Sequence, residues 1–413
     1  MRAWPSPNVP VVPGDPVSLR LHDVAREVVA PVESSDPARL YVCGVTPYDT
    51  THMGHAATYV TFDLVNRALR DGARAVTFVQ NVTDVDDPLF ERAARDGTDW
   101  RDLGREQIAL FLEDMTALGV IPPEHFMGVM ESMPAIISAV TGLVERGVTY
   151  EVVEDGVRDT YLDLAMAGGL GELGHLDRET MLTFSAERGG DPQRPGKRDP
   201  LDPMVWKGER DGEPAWDAGR LGPGRPGWHI ECTAIAMEHL GDRIDVQGGG
   251  TDLVFPHHEM SVVQAEALTG VRPFAAHTAH QAMVAYDGEK MSKSKGNLVR
   301  VSTLRSEGVD PMAVRLVLLD HHYRGEWEWT DEGLATGVAR LDRWRSGMST
   351  DGGPDATATI AAVRDAIADD LDTPTALAAV DAWCEVSLGA GGDVRAAPGE
   401  LARAVDALLG IRL

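Results

Sequence analysis

Cys43, Cys232 and Cys384 are the only three cysteines in a chain of 413 residues. That is too few for a disulfide framework and fits a reducing compartment, so each thiol is left for chemistry or for plain burial. Long apolar runs are also missing, since none approaches the roughly 20 residues that a membrane helix needs. The opening stretch, MRAWPSPNVPVVPGDP, is rich in proline and lacks a basic-then-apolar leader. These absences predict a cytoplasmic protein with no membrane partner. Basic residues are in short supply, 38 Lys and Arg against 65 Asp and Glu, for a net charge of -27. A surface of that sign repels polyphosphate unless cations are concentrated locally, which argues against a large nucleic-acid footprint without forbidding a basic groove.

What is present is an ordinary globular balance, 43% hydrophobic and 25% charged, in a chain long enough for roughly two or three domains. Residues 40–45 (LYVCGV) form a short apolar run ending near a glycine and read as a parallel strand. A turn-rich stretch follows, and His52 then opens a helix to about Arg70, with Val60, Leu64 and Ala68 on one face. Residues 75–82 read as a second strand. Strand, helix, strand in this order predicts a right-handed crossover and an α/β, Rossmann-type parallel sheet. Residues 88–150 read as mostly helical, and 151–227 as an irregular insertion dense in Gly and Pro. Residues 228–240 read as a short helix, 244–247 as a strand followed by three glycines, 257–269 as a helix and 283–291 as a hairpin around Asp287-Gly288. The resulting division is a lead-in (1–37), two halves of a catalytic domain (38–150 and 228–309) flanking a connective insertion (151–227), and a C-terminal helical domain (310–413).

Two short motifs carry chemistry. His52-Met53-Gly54-His55 stands at a helix start, where free N–H groups and the helix dipole suit phosphate. Gly54 would let a nucleotide come close, and the two imidazoles can donate to a phosphoryl group as its charge grows. Alone, the pattern equally describes a helix start with two surface histidines. Lys290-Met291-Ser292-Lys293-Ser294-Lys295 lies beside the hairpin. Its ammonium groups, Lys290 and Lys293 above all, can clamp a departing pyrophosphate, although a solvated basic loop would look the same. A third set is Cys43, Cys232 and His257. Two thiolates and one imidazole make a plausible zinc site, but residues so distant in sequence prove little by spacing.

Together and in this order, the first two motifs resemble the signature pair of class I aminoacyl-tRNA synthetases. The resemblance implies a Rossmann-type (HUP-like) catalytic domain, Mg-ATP as cosubstrate and an aminoacyl-adenylate intermediate, with His52, His55, Lys290 and Lys293 as the catalytic residues. The words around the thiols, Cys43-Gly44 with Thr46, residues 227–232 (GWHIEC) and residues 248–259 (GGGTDLVFPHHE), resemble cysteinyl-tRNA synthetases. In that family the matching Cys, Cys and His hold one zinc ion, which binds the substrate thiolate. Zinc separates cysteine from serine because an alcohol neither ligates it strongly nor ionises on it at neutral pH. The synthetases add a glutamate ligand one helical turn after the histidine, and here that position is Ser261. By position, Gly44, Val45, Thr46, Thr58, Asn81, Val82, Thr83, Trp228, Gly250, Thr251, Asp252 and Val284 are expected to contact the substrate amino acid or its adenylate, and Cys43 does so as a ligand. Cys384 receives no role.

The opening Ala3-Trp4-Pro5, the Thr46-Pro47-Tyr48-Asp49 turn, the segment Glu187-Arg188-Gly189-Gly190-Asp191-Pro192 and Ser261 resemble a neighbouring family, the cysteine ligases of the mycothiol pathway. That family joins L-cysteine to the amine of glucosaminyl-inositol (GlcN-Ins). The little chain left after the lysine loop, the strongly negative net charge and a tail without a basic and aromatic stripe for single-stranded RNA favour this family over a tRNA synthetase. It implies L-cysteine, ATP and GlcN-Ins as small-molecule partners, no nucleic acid and a monomer, with 187–192 as the acceptor-pocket segment. The alternatives are a cysteinyl-tRNA synthetase and a non-catalytic paralogue that binds cysteine or nucleotide.

Overall fold

The computed structural model describes the whole chain except Thr50, residues 72–73 and residues 292–295, together with the side chain of Lys290. Its centre is a five-stranded parallel sheet of β1 (Ala38–Val45), β2 (Val76–Val82), β3 (His125–Gly128), β4 (Ile244–Gly250) and β5 (Ala275–Gln281). The spatial order is β5-β4-β1-β2-β3, parallel throughout. The expected strand–helix–strand unit is present, with α1 (Met53–Arg70) linking β1 to β2. β3 lies inside the stretch read as helical. It is only four residues long, too short for alternation to stand out against the helices beside it. Those helices include α2 (Asp87–Asp96) and α3 (Val129–Glu145).

Period-two alternation along β1 decides which side chains face which layer. Leu40 and Val42 face a core shared with α1 and the C-terminal helices, whereas Tyr41 and Cys43 face a second cluster with Cys232, Ile235 and Ala236. The latter three belong to α4 (Trp228–Leu240), which packs against α5 (Glu259–Thr269) on the opposite side of the sheet.

Residues 151–227 are more ordered than their composition predicts. Five antiparallel strands, Thr149–Glu154, Val157–Leu162, Met204–Gly208, Pro223–Pro226 and Trp216–Asp217, form a small sheet in that order, with helix Arg178–Glu187 beside it. Two glycines within its strands sit where strands cross closely: a Cβ on Gly224 would stand 2.2 Å from the Lys207 carbonyl oxygen, and one on Gly208 2.4 Å from the Arg158 carbonyl oxygen. The lead-in is also anchored: Trp4 is buried, its indole donates to the Val120 carbonyl at 2.8 Å, and its ring meets Phe111 and Phe126 edge-on. The hairpin pairs Val284–Tyr286 with Glu289–Lys290 around Asp287 and Gly288, both at positive φ, as a tight two-residue turn requires. Helices Pro311–Leu319, Asp331–Gly347, Thr357–Ala368, Thr373–Gly389 and Ala397–Leu409 complete the chain. Among the described residues no helix is long and apolar enough to cross a membrane.

A buried ionic node ties these last helices to α1. Asp63 accepts from Arg67 Nε at 2.7 Å, from the Ile121 amide at 2.8 Å and from Arg315. Arg315, fully buried, also donates to the carbonyls of Leu409 and Leu118 at 2.8 and 2.9 Å, while Arg67 donates to those of Asp406, Ala407 and Gly119. Removing one member strands a buried carboxylate and several carbonyls. Arg315→Met is therefore expected to lower unfolding free energy by about 3–5 kcal/mol, read from the shift of the urea midpoint at constant m-value.

Candidate active site

A cavity of about 470 Å³ opens at the carboxyl edge of the sheet, between β1 and β4, where the strand order reverses. Backbone crowding builds its floor. A Cβ on Gly44 would lie 1.5 Å from the Asn81 carbonyl oxygen, so only glycine lets β1 pass β2 there. The Gly44 amide then donates to Asn81 Oδ1 at 2.7 Å, and Asn81 Nδ2 donates to Thr83 Oγ1 at 3.1 Å.

His52 caps α1. Its Nδ1 accepts from the Gly54 amide at 3.1 Å, which places the ring proton on Nε2 and leaves that nitrogen as a donor. His55 stacks on it at 3.8 Å between ring centroids. Gly54 is needed for this arrangement as well, since a Cβ would stand 3.0 Å from the His52 ring. The chain that follows the lysine loop returns to the same place. The amide of Met53 donates to the Val299 carbonyl, that of Val301 to the Thr51 carbonyl, and Arg300 pairs with Asp49 at 2.9 Å. Of the two sequence-predicted lysines, Lys293 lies outside the described residues, and Lys290 is described only as the backbone of the hairpin strand.

Cys43, Cys232 and His257 converge at one end of the cavity, all buried, with their ligand atoms within 4.8 Å of one another. Cys43 comes from the end of β1, Cys232 from the first turns of α4, and His257 from the irregular turn Val254–His258 after β4. Burial pushes the Cys43 thiol up, while a hydrogen bond from Cys43 pulls the Cys232 thiol well down. Two soft sulfurs and one imidazole at this spacing match a thiophilic cation, so the donor set fits a metal. Around it lie residues that the sequence reading did not single out. His258 Nε2 is 3.1 Å from Cys43 Sγ and its Nδ1 is 2.7 Å from His280 Nε2, and His229 Nδ1 is 3.1 Å from His257 Nδ1. Burial holds His229 and His258 neutral and pushes His280 down to about 3. The tandem His257-His258 was the only sequence signal for this outer layer. Ser261, at the position of the synthetases' fourth ligand, turns its hydroxyl to the His229 carbonyl at 3.4 Å.

The cavity also gathers Val45, Thr46, Thr58, Thr83, Gly250, Asp252 and Val284, and Trp228 lies over His257 at 4.3 Å between centroids. Two predicted residues do not line it: Val82 is buried in the α1-side core, and Thr251 is exposed beside the cavity rim. On adjoining positions of β2 the side chains alternate, so Asn81 and Val82 cannot share a face.

A second cavity, of about 670 Å³, meets the first at Thr46, Tyr48 and Trp228, which line both. Glu187 to Asp191 line it, whereas Pro192 does not. Arg188 spans the two sites, donating to the carbonyls of Asp252 and Phe255. Asp86, Asp87 and Glu231, none of them singled out from sequence, face it too.

With this geometry in hand, comparison with known proteins is specific. Residues 29–339 match the family model described as tRNA synthetases class I (C) catalytic domain. The chain belongs to this family. Within it, the chain is 58% identical, over all of its length and 99% of the relative's, to the L-cysteine:1D-myo-inositol 2-amino-2-deoxy-alpha-D-glucopyranoside ligase of Gordonia bronchialis. It is 56% identical to the ligase of the same name from Streptomyces coelicolor, over the full length of both. Among solved structures, Mycobacterium tuberculosis methionyl-tRNA synthetase in complex with methionyl-adenylate shares the fold, with a TM-score of 0.60 at 15% identity over 90% of this chain and 89% of that one. The class I (C) fold accounts for the parallel sheet and for the crevice between β1 and β4.

The Gly44–Asn81 contact gives a direct test of how the floor is built. Gly44→Ala must push β1 away from β2 and is expected to cost at least about 1–3 kcal/mol, measured by thermal unfolding. The same change at exposed Gly212, where an added Cβ meets nothing, tests only its positive φ and should cost about 1 kcal/mol.

Proposed function

We propose that this chain activates L-cysteine with ATP and joins it to the amine of GlcN-Ins, giving the cysteinyl amide, AMP and diphosphate. The observation that carries this reading is the end-to-end identity to curated ligases of that name. The paired cavities support it: one sits where an adenylate belongs in this fold, and the other is lined by Asp86, Asp87, Glu91, Glu187, Asp191 and Glu231. The carboxylates of the latter outnumber its basic Arg188, Lys197, Lys207 and Arg225, an excess that suits a cationic aminosugar. The protein works in this reading as a cytoplasmic monomer on free small molecules, without nucleic acid.

Cys43, Cys232 and His257 would hold zinc, and a bound zinc ion would take the substrate thiolate as a further ligand, which an alcohol does not supply at neutral pH. Trp228, tilted against His257, lines that end of the cavity. Thr46, Thr83 and Asp252 stand along the wall for the amino and carboxylate groups. The cysteine carboxylate attacks the α-phosphate of Mg-ATP. His52, with its proton on Nε2, and His55 donate to the phosphoryl oxygens as charge builds, at the positive end of α1. Lys290 and Lys293 are assigned to the departing diphosphate by their motif.

Three measurements test this. Cysteine-dependent exchange of pyrophosphate into ATP is expected, with serine disfavoured by more than about 100-fold in kcat/KM, and equal use of serine would sink the assignment. Elemental analysis should find about one zinc per chain, falling sharply in Cys232→Ser along with the exchange. Given GlcN-Ins, the protein should release AMP and form the amide. Turnover with tRNA instead would identify a cysteinyl-tRNA synthetase.

A further inference from the structure

The amine of an aminosugar is largely an ammonium ion near neutral pH, and an ammonium cannot attack a carbonyl. The acceptor must lose a proton within reach of the adenylate. The boundary between the two cavities is the place to look. Thr46, Tyr48 and Trp228 line both, and Thr46 Oγ1 donates to Asp86 Oδ2 at 3.2 Å. Asp86 is the cap of α2, its Oδ1 accepting from the Asp87 amide at 2.9 Å, and it is half-buried with its carboxylate on the second cavity. Beside it, Glu231 is only 1% exposed, and its Oε2 has no hydrogen-bond partner among the described residues. A deeply buried carboxyl oxygen without a hydrogen-bond partner, on a cavity wall, is open to a polar group of a ligand.

The basic residues of this cavity are engaged elsewhere. Lys197 pairs with Asp191 at 2.8 Å, Arg225 with Asp87 and with Glu213 at 3.0 Å, Lys207 with Glu213 at 2.9 Å, and Arg188 donates to backbone carbonyls. None forms an ion pair with Asp86 or Glu231 among the described residues.

We propose that Asp86 and Glu231 form the seat for the acceptor's ammonium group, and that Asp86 is the base that takes its proton. This rests on the function proposed above and assigns a residue to its second half-reaction. The ammonium passes one proton to the Asp86 carboxylate. The freed nitrogen pair adds to the adenylate carbonyl carbon, the bond from that carbon to the phosphate oxygen breaks, and AMP leaves with the electron pair. The nitrogen's surplus proton goes to solvent. The charged and titratable groups around Asp86 are Asp87 and Glu91 on its own helix, Asp84 before it, Tyr48 on the turn after β1, Glu231 on α4 and Arg225 on the small sheet. Burial first, then repulsion from Asp87, raises the Asp86 carboxyl to about 6. It is thus ionised at neutral pH, yet closer to the amine in basicity than an ordinary carboxylate.

The test separates the two half-reactions on the full-length protein. Asp86→Asn keeps a helix cap and the side-chain shape but loses the base. Pyrophosphate exchange with cysteine should stay within about twofold, while transfer from preformed adenylate to GlcN-Ins falls by about 10²–10⁴. The deficit should shrink as pH rises past the pKa of the amine itself, and Asp86→Glu should recover part of the rate. Undiminished transfer in Asp86→Asn, or a deficit equal at every pH, would overturn the assignment. If Asp86→Asn loses exchange as well, Asp86→Glu decides. Exchange and a wild-type pH profile of transfer support the base, and exchange with transfer as poor at high pH as at low refutes it. Wild-type protein that makes adenylate but never uses GlcN-Ins would sink the proposed function and this inference together.

Discussion

Everything at this site depends on where the parallel sheet changes direction. From β1 the chain moves to β2 and β3 on one side, and later returns to β4 and β5 on the other. The loops leaving β1 and β4 therefore part company and leave a crevice that neither can fill. Into it come Cys43 from the end of β1, the capped start of α1, and His257 from the turn after β4. Gly44 is what allows the crevice floor to close, because a larger residue would collide with the backbone of β2. The alternation of β1 does the rest: Cys43 faces α4, where Cys232 lies one layer away, and the even-numbered Leu40 and Val42 are committed to the other core.

Much of this was legible in the sequence because it is local. The β1–α1–β2 unit, the helix from residue 228 and the Asp-Gly hairpin each announce themselves through periodicity or turn chemistry within a few residues. The convergence of Cys43, Cys232 and His257 was legible through the words around them and the resemblance they carry, since spacing alone was silent. What stayed hidden is what tertiary packing creates. β3 is four residues long, and the small antiparallel sheet runs through a segment dense in glycine, where Gly208 and Gly224 mark close strand crossings while most of the others turn the chain at positive φ. In the sequence, Asp86 and Glu231 are two more charges on an acidic chain. Only the fold reveals that both carboxylates face one cavity and that one of them is almost fully enclosed. Val82 shows the opposite error, because nearness in sequence to Asn81 and Thr83 says nothing when strand neighbours point to opposite faces.

The charge balance also reads differently in three dimensions. A net charge of -27 leaves few cations to spare, and many arginines are spent inside the molecule. Arg67 and Arg315 are buried around Asp63, Arg364 pairs with Asp71 near the end of α1, and Arg305 with Asp114. An arginine so held is matched by its own carboxylate and is not available to bind a ligand at the surface.

The same arginines explain what the C-terminal helices do for the chemistry. α1 carries His52 and His55 at its first turn and Asp63 and Arg67 farther along, and Arg315 fixes that latter half to the backbone at Leu409 and Leu118. A helix whose N-terminus stabilises developing charge must not shift as that charge appears, because preorganised donors act without reorganising. Anchoring α1 by a guanidinium with several fixed acceptors is stiffer than anchoring it by apolar contact alone, since direction as well as distance is set. Under the function proposed above, the C-terminal helices act as a brace that keeps the two imidazoles at the start of α1 aimed at a phosphate.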